Sequence, residues 1–249
     1  MGETLNSTEI LHRRLQEANA EELKILLVAE AAELDLVGAR HVLANPFVGK
    51  EAIEILLGQP RLVATYELRR ALAGHPRTPQ AAALDLVPTL FWRDLAELTV
   101  SMQTAPAVRH LAERHLLERL PVLTEGERIA LARRAVGGVL QRLRHDGSQR
   151  VVAALLENPR LTEGLLMPLV ASESALPEVL RLVATSRWGL RYEVRVGLVR
   201  NRRTPGPIAL SLVAQLRRAE LAAVAADPRL ALPLRRAARD RLTGAAGRD

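Results

Sequence analysis

Apolar residues recur along this chain at spacings of three and four, in runs of about eight to twelve residues that stop at Asn-Pro, His-Pro or Asp-Pro. Residues 8–17 predict a short helix with Ile10, Leu11 and Leu15 on one side. Asn19 then reads as a cap, with Glu21 and Glu22 in the first turn where the helix dipole favours carboxylates, ahead of a stripe of Leu23, Leu26 and Leu27. The pattern continues with helices over 34–43, 50–57 and 66–73. The next is started by Thr78 as cap and Pro79 as first helical residue and carries Ala83, Leu84, Leu86, Val87 and Leu90. Further helices are expected over 94–100 and 107–120, and Thr124-Glu125-Gly126-Glu127 is a capping box opening one through Val136, with Gly137-Gly138 a weak point. After the turn at 145–148 come 151–156, 165–170, 177–184, 192–199, 205–216, 221–225 and 232–242, with residues 243–249 reading as a frayed tail. These are sixteen helical segments, against an expected stack of about ten to thirteen short helices.

The pattern repeats itself. Tyr66-Glu67-Leu68-Arg69 and the following Arg77-Thr78-Pro79 return as Tyr192-Glu193-Val194-Arg195 and Arg203-Thr204-Pro205, an offset of 126 residues. Residues 66–116 laid without a gap over 192–242 are identical at 18 of 51 positions. Helical units that recur in this way stack on their neighbours to share a core, so the chain divides into an acidic cap (1–33), a first half (34–144), a second half continuous with it (145–242) and the tail (243–249).

Composition sharpens this picture. Hydrophobic residues make up 48% of the chain and aromatics only 2%, so the core is built from Leu, Ala and Val, and the fold class is all-α. Cysteine is absent, which excludes disulfides, thiolate nucleophiles and Cys-ligated metals. No stretch approaches the length of about 18 apolar residues that a membrane span needs, and the amino terminus lacks a basic start followed by an apolar run, so a cytoplasmic protein with no membrane contact is expected. The net charge of +7 is uneven: residues 1–33 hold three basic against seven acidic residues (−4), and residues 181–249 hold 15 against five (+10).

Arg70-Ala-Leu-Ala-Gly-His-Pro-Arg-Thr-Pro79, Leu155-Leu-Glu-Asn-Pro-Arg-Leu-Thr162 and Leu198-Val-Arg-Asn-Arg-Arg-Thr-Pro205 resemble the leucine-rich repeat variant and HEAT-like repeats of bacterial proteins, over roughly residues 34–242. The resemblance implies a right-handed α-solenoid. The cysteine cluster that some variant-repeat proteins use for an iron–sulfur centre has no counterpart here, and no cofactor is implied.

Candidate chemistry is sparse. His110 and His115 are five apart, off the i, i+4 spacing of helical metal ligands, and no nucleophile, phosphate-loop or dinucleotide motif occurs. No catalytic or metal site is expected. Asp94 beside Trp92 matches the needs of a HEAT-like DNA glycosylase, but Asp94 aligns with Glu220 and fits an ordinary helix start. His75 occupies the turn position held elsewhere by Asn45, Asn158 and Asn201, which points to turn hydrogen bonding. Phe91-Trp92 aligns with Arg217-Arg218, and a position that accepts arginine in one copy is exposed in the other. Phe91, Trp92 and Trp188, in the inserted turn, are therefore candidate anchors for a protein partner. Arg191, Arg195, Arg200, Arg202 and Arg203 are candidates for binding an anion or nucleic acid. Arginines that coincide across the copies, such as Arg69 with Arg195, also suit carbonyl capping or ion pairing between neighbouring helices. The leading expectation is a non-enzymatic scaffold for another protein, and the alternative a nucleic-acid-binding module.

Overall fold

The structure is a computed structural model that describes residues 7–246; these hold eighteen α-helices, three 3-10 turns and no strand. The helices gather into two compact units, Met1–Pro121 and Val122–Asp249. The first contains α1 (Ser7–Glu17), α2 (Ala20–Glu30), α3 (Leu36–Ala44), α4 (Lys50–Leu57), α5 (Pro60–Val63), α6 (Tyr66–Gly74), α7 (Gln80–Leu86), α8 (Trp92–Val100) and α9 (Pro106–Arg119). The second contains α10 (Glu125–Ala132), α11 (Gly137–Leu143), α12 (Gln149–Leu156), α13 (Glu163–Ala171), α14 (Pro177–Thr185), α15 (Tyr192–Arg200), α16 (Gly206–Val213), α17 (Arg218–Ala226) and α18 (Leu232–Ala246).

In the first unit α1 packs on α3 and α3 on α6, while α2 packs on α4 and α7 on α9. In the second, α10, α12 and α14 pack in succession, as do α13, α15 and α17. Each helix thus buries one stripe against its neighbours. Leu23, Leu27, Ile53, Leu56, Leu68, Leu72 and Leu95 are sealed from solvent, and each such side chain contributes about 2 kcal/mol.

One turn recurs at the helix ends. The amide of Asn45 reaches back to Val42 and its carbonyl accepts from Val48; His75, Asn158 and Asn201 repeat this pairing with Leu72 and Thr78, Leu155 and Leu161, Leu198 and Thr204. The turn side chains then reach an earlier helix end. Asn45 Nδ2 donates to the Leu15 and Ala18 carbonyls, both at 2.9 Å. Asn158 donates to Ala132 and Ala135, and Asn201 to Val170 and Ser172. Each asparagine Oδ1 meanwhile accepts the amide two residues on. Buried asparagine is tolerated here because both ends of its amide are paired. His75 plays the same part: its Nδ1 accepts from the Arg77 amide at 3.2 Å and the ring bonds the Leu43 backbone.

Several expectations need correction. Eighteen helices exceed the ten to thirteen predicted, partly because Pro60–Val63 is a separate turn of helix and Gly137, at φ 50°, breaks the helix expected to run through Val136. Neither Thr78 nor Thr204 caps a helix: Pro79 and Pro205 hold the cap position with extended ψ, and both threonine hydroxyls are buried without a partner. Residues 243–246 are helical, and 247–249 lie outside the described residues. The turn at 145–148 lies inside the second unit, where Asp146 accepts from Arg128 at 2.8 Å and Ser148 bonds Glu125. The caps at Asn19 and Thr124 form as reciprocal boxes with Glu22 and Glu127.

Candidate docking grooves

The duplicated tyrosines anchor equivalent places in the two units. Tyr66, at the start of α6, donates its hydroxyl to Asp94 and accepts the Phe91 amide at 2.9 Å. Tyr192, at the start of α15, donates to Glu220 at 2.8 Å and accepts the Arg217 amide at 3.0 Å. In both, a flat group covers the ring: Phe91 with centroids 4.5 Å apart, and the Arg217 guanidinium 4.4 Å from the Tyr192 centroid. Phe91 nevertheless remains 64% exposed, and Trp92 is half-buried with Arg93 over its ring. Asp94 is saturated, its second oxygen taking Arg70 Nε at 2.7 Å. The Tyr192 hydrogen bond holds the Glu220 carboxyl below its ordinary range.

Beside each tyrosine helix lies a groove. The first, about 500 Å³, is lined by charged residues together with Ala71, Gly74 and Leu98 and is crossed by its own ion pairs: Arg40 to Glu67 at 3.5 Å, Arg70 to Asp94, and Arg70 to Glu97 at 2.8 Å. The second, about 360 Å³, is built on α13, α15 and the turn after α17. Shifted by 126 residues, Arg70 becomes Val196, Ala71 becomes Gly197, Gly74 becomes Arg200 and Glu97 becomes Ala223. The crossing pairs of Arg70 are gone, and Met167, Ala171, Val196, Gly197 and Leu230 line an apolar floor. Gly197 is required by packing: a Cβ there would sit 2.8 Å from Val170 Cγ1 and 3.1 Å from Met167 Cε. The rim carries Arg200, Arg202 and Arg229 with Glu173 and Glu193. Arg202 meets Glu173 at 3.1 Å, an exposed pair. Arg229 chelates Asp227 and, by that hydrogen bond, holds its carboxyl down to about 2. Arg200 is exposed, and its side chain makes no hydrogen bond among the described residues.

The arginine candidates do not form a free ladder. Arg195 donates to Gln215 at 2.6 Å and to the Leu190 carbonyl at 2.9 Å, lying over Tyr192 as Arg69 lies over Tyr66, each 5.9 Å from the ring centroid. Arg203 donates to the Ala175 carbonyl and Arg202 pairs with Glu173. Arg61, Arg119, Arg144 and Arg187 likewise donate to carbonyls of neighbouring helices or turns. Only Arg191 and Arg200 of the five stand exposed and unbonded.

Trp188 is not an exposed anchor. It is 7% exposed, and its Nε1 donates to the Leu156 carbonyl at 2.9 Å. Gly189 beside it lets the turn close, since a Cβ would lie 2.0 Å from the Ala184 carbonyl oxygen. Met167, Gly197 and Arg229 were missed by sequence reasoning, although the substitutions of Arg70 by Val196 and Glu97 by Ala223 mark their groove.

Among the described residues no group of three or more His, Asp or Glu could hold a metal ion, and no helix is long and apolar enough to cross a membrane. Compared with family models, curated proteins and solved structures, the chain matches none.

Proposed function

We propose that each unit is a run of HEAT-like α-solenoid repeats and that the protein is a non-enzymatic scaffold, holding a segment of another protein in the groove of the second unit. One observation carries this reading: the Arg70 ion pairs that cross the first groove have no counterpart in the second, where Val196 and Ala223 stand at the equivalent positions and Met167, Val196 and Leu230 line the floor. An apolar floor with a charged rim suits a side-chain anchor followed by polar contacts. Against the glycosylase reading, the Asp94 carboxylate is already engaged by the Tyr66 hydroxyl and by Arg70. Nucleic acid is the second reading, favoured by the +10 balance of residues 181–249. The carbonyl duties of Arg195 and Arg203 weigh against it.

A photo-crosslinking residue placed at Ala171 in the second groove, and at Ala71 in the first, separates the readings inside cells. A protease-sensitive, nuclease-resistant adduct from Ala171 and none from Ala71 supports the scaffold. A nuclease-sensitive adduct favours nucleic acid, and no adduct at either position overturns both.

A further inference from the structure

The other end of the chain carries a surface with matching chemistry. Helix α2 turns Leu23, Leu26 and Leu27 inward, which leaves Glu21, Ile25 and Val28 together on its outer face by i, i+3 and i+4 spacing. Ile25 is 67% exposed and Val28 69%, side by side and uncovered. The Glu22 carboxylate is engaged in its own helix cap, accepting the Asn19 amide. The Glu21 carboxylate makes no hydrogen bond or ion pair among the described residues. The outer face of α2 is thus an aliphatic pair beside a free carboxylate. The second groove is an apolar floor beside the exposed guanidinium of Arg200, which makes no hydrogen bond among the described residues and whose charge acts on Asp227 and Glu220.

We propose that the groove of the second unit takes the outer face of α2 from a second copy of this chain, joining copies head to tail. This rests on reading that groove as a docking surface for protein. Ile25 and Val28 enter against Met167, Val196 and Leu230, and Glu21 meets Arg200. Lys24, flanking the aliphatic pair, meets the acidic rim at Glu173 and Glu193. Longer-range charge favours the same orientation, since residues 1–33 carry −4 and residues 181–249 carry +10. The two surfaces are different patches of one chain, and in the open form proposed a row of copies keeps one unfilled groove and one unfilled α2 face, to which further copies add. One helix face in one groove is a small interface, and each joint is weak and salt-sensitive.

Sedimentation equilibrium of the full chain from about 1 µM to about 500 µM, a range suited to a small transient interface, tests this. The expected result is an average mass that rises with concentration past the dimer and falls back when salt is raised. Ile25→Asp and Arg200→Glu, both at exposed positions, each leave a monomer with unchanged helical circular dichroism. Mixed together, they give dimers and nothing larger, because the mixture holds one intact groove and one intact α2 face per pair. A wild-type chain that stays monomeric overturns the proposal, as does association that either variant leaves intact or a mixture that grows past the dimer. A protein adduct at Ala171 that is not a second copy also overturns it, while leaving the scaffold reading standing.

Discussion

The Tyr192 hydroxyl donates to the Glu220 carboxylate at 2.8 Å, and 126 residues earlier Tyr66 holds Asp94 in the same way. Each hydroxyl also accepts the N-cap amide of the helix that carries the carboxylate, so it ties the start of α6 to the start of α8, and the start of α15 to the start of α17. Removing the oxygen leaves that amide to water and the carboxylate with fewer partners. Tyr66→Phe is expected to lower stability by about 1 kcal/mol, read as a lower urea midpoint at unchanged slope. A midpoint equal to wild type would mean that the bond contributes nothing.

Asn158 is fully buried and bonded at both ends of its amide. Asn158→Ala strands two carbonyls and one amide and is expected to cost about 3 kcal/mol in urea unfolding. Asn158→Asp costs more at neutral pH, because a carboxylate faces carbonyl oxygens and cannot donate to them. Acidification below the carboxyl range restores a donor and narrows the gap between the two variants; a gap that does not change with pH contradicts this account.

Burial pushes the His75 imidazole below its ordinary value of 6.5, and Arg77 adds to the shift against the opposing bond to the Leu43 backbone. A base that is harder to protonate when folded binds protons preferentially in the unfolded chain. Stability from this group is therefore complete above pH 6.5 and declines as the pH falls below it. His145 is shifted in the same direction by burial and by Arg144 and Arg142. His75→Asn installs the side chain found at the other turns and should flatten, though not abolish, the fall in melting temperature between about pH 6.5 and pH 5. An unaltered slope would show that His75 is not its source.

Val196→Arg together with Ala223→Glu rebuilds in the second groove the pair that Arg70 and Glu97 make in the first. Val196 is only 8% exposed, whereas Ala223 is exposed, so unchanged helical circular dichroism is the first requirement of this variant. Its expected phenotype is loss of the Ala171 adduct and of concentration-dependent mass. Retention of both would place docking elsewhere on the surface.

The all-helical class is legible because Leu and Ala dominate and aromatics are scarce. The boxes at Asn19 and Thr124 are legible because capping is settled by neighbours three residues away. Thr78-Pro79 misleads because the Thr78 amide closes the turn onto the His75 carbonyl, so Thr78 belongs to the turn, and Pro79 stays extended to carry the chain into α7. The exposure of Phe91 follows from its alignment with Arg217, because both cover a tyrosine ring from outside. Burial of Trp188 depends on a carbonyl 32 residues away and on Gly189, neither visible in local pattern. Matching positions such as Arg69 and Arg195 cover tyrosines, whereas the mismatched Arg70 and Val196 mark where the two copies differ.

The turn side chains of Asn45, His75, Asn158 and Asn201 each reach back only 23 to 32 residues. On the repeat reading proposed above, strain inside a unit is passed from one turn to the next, and the unit is expected to come apart like a zip, from an end inward. A protease supplied under mild denaturant would meet the opened end first and leave a ladder of products whose steps match the spacing of the turns, with the middle turns the last to be cut.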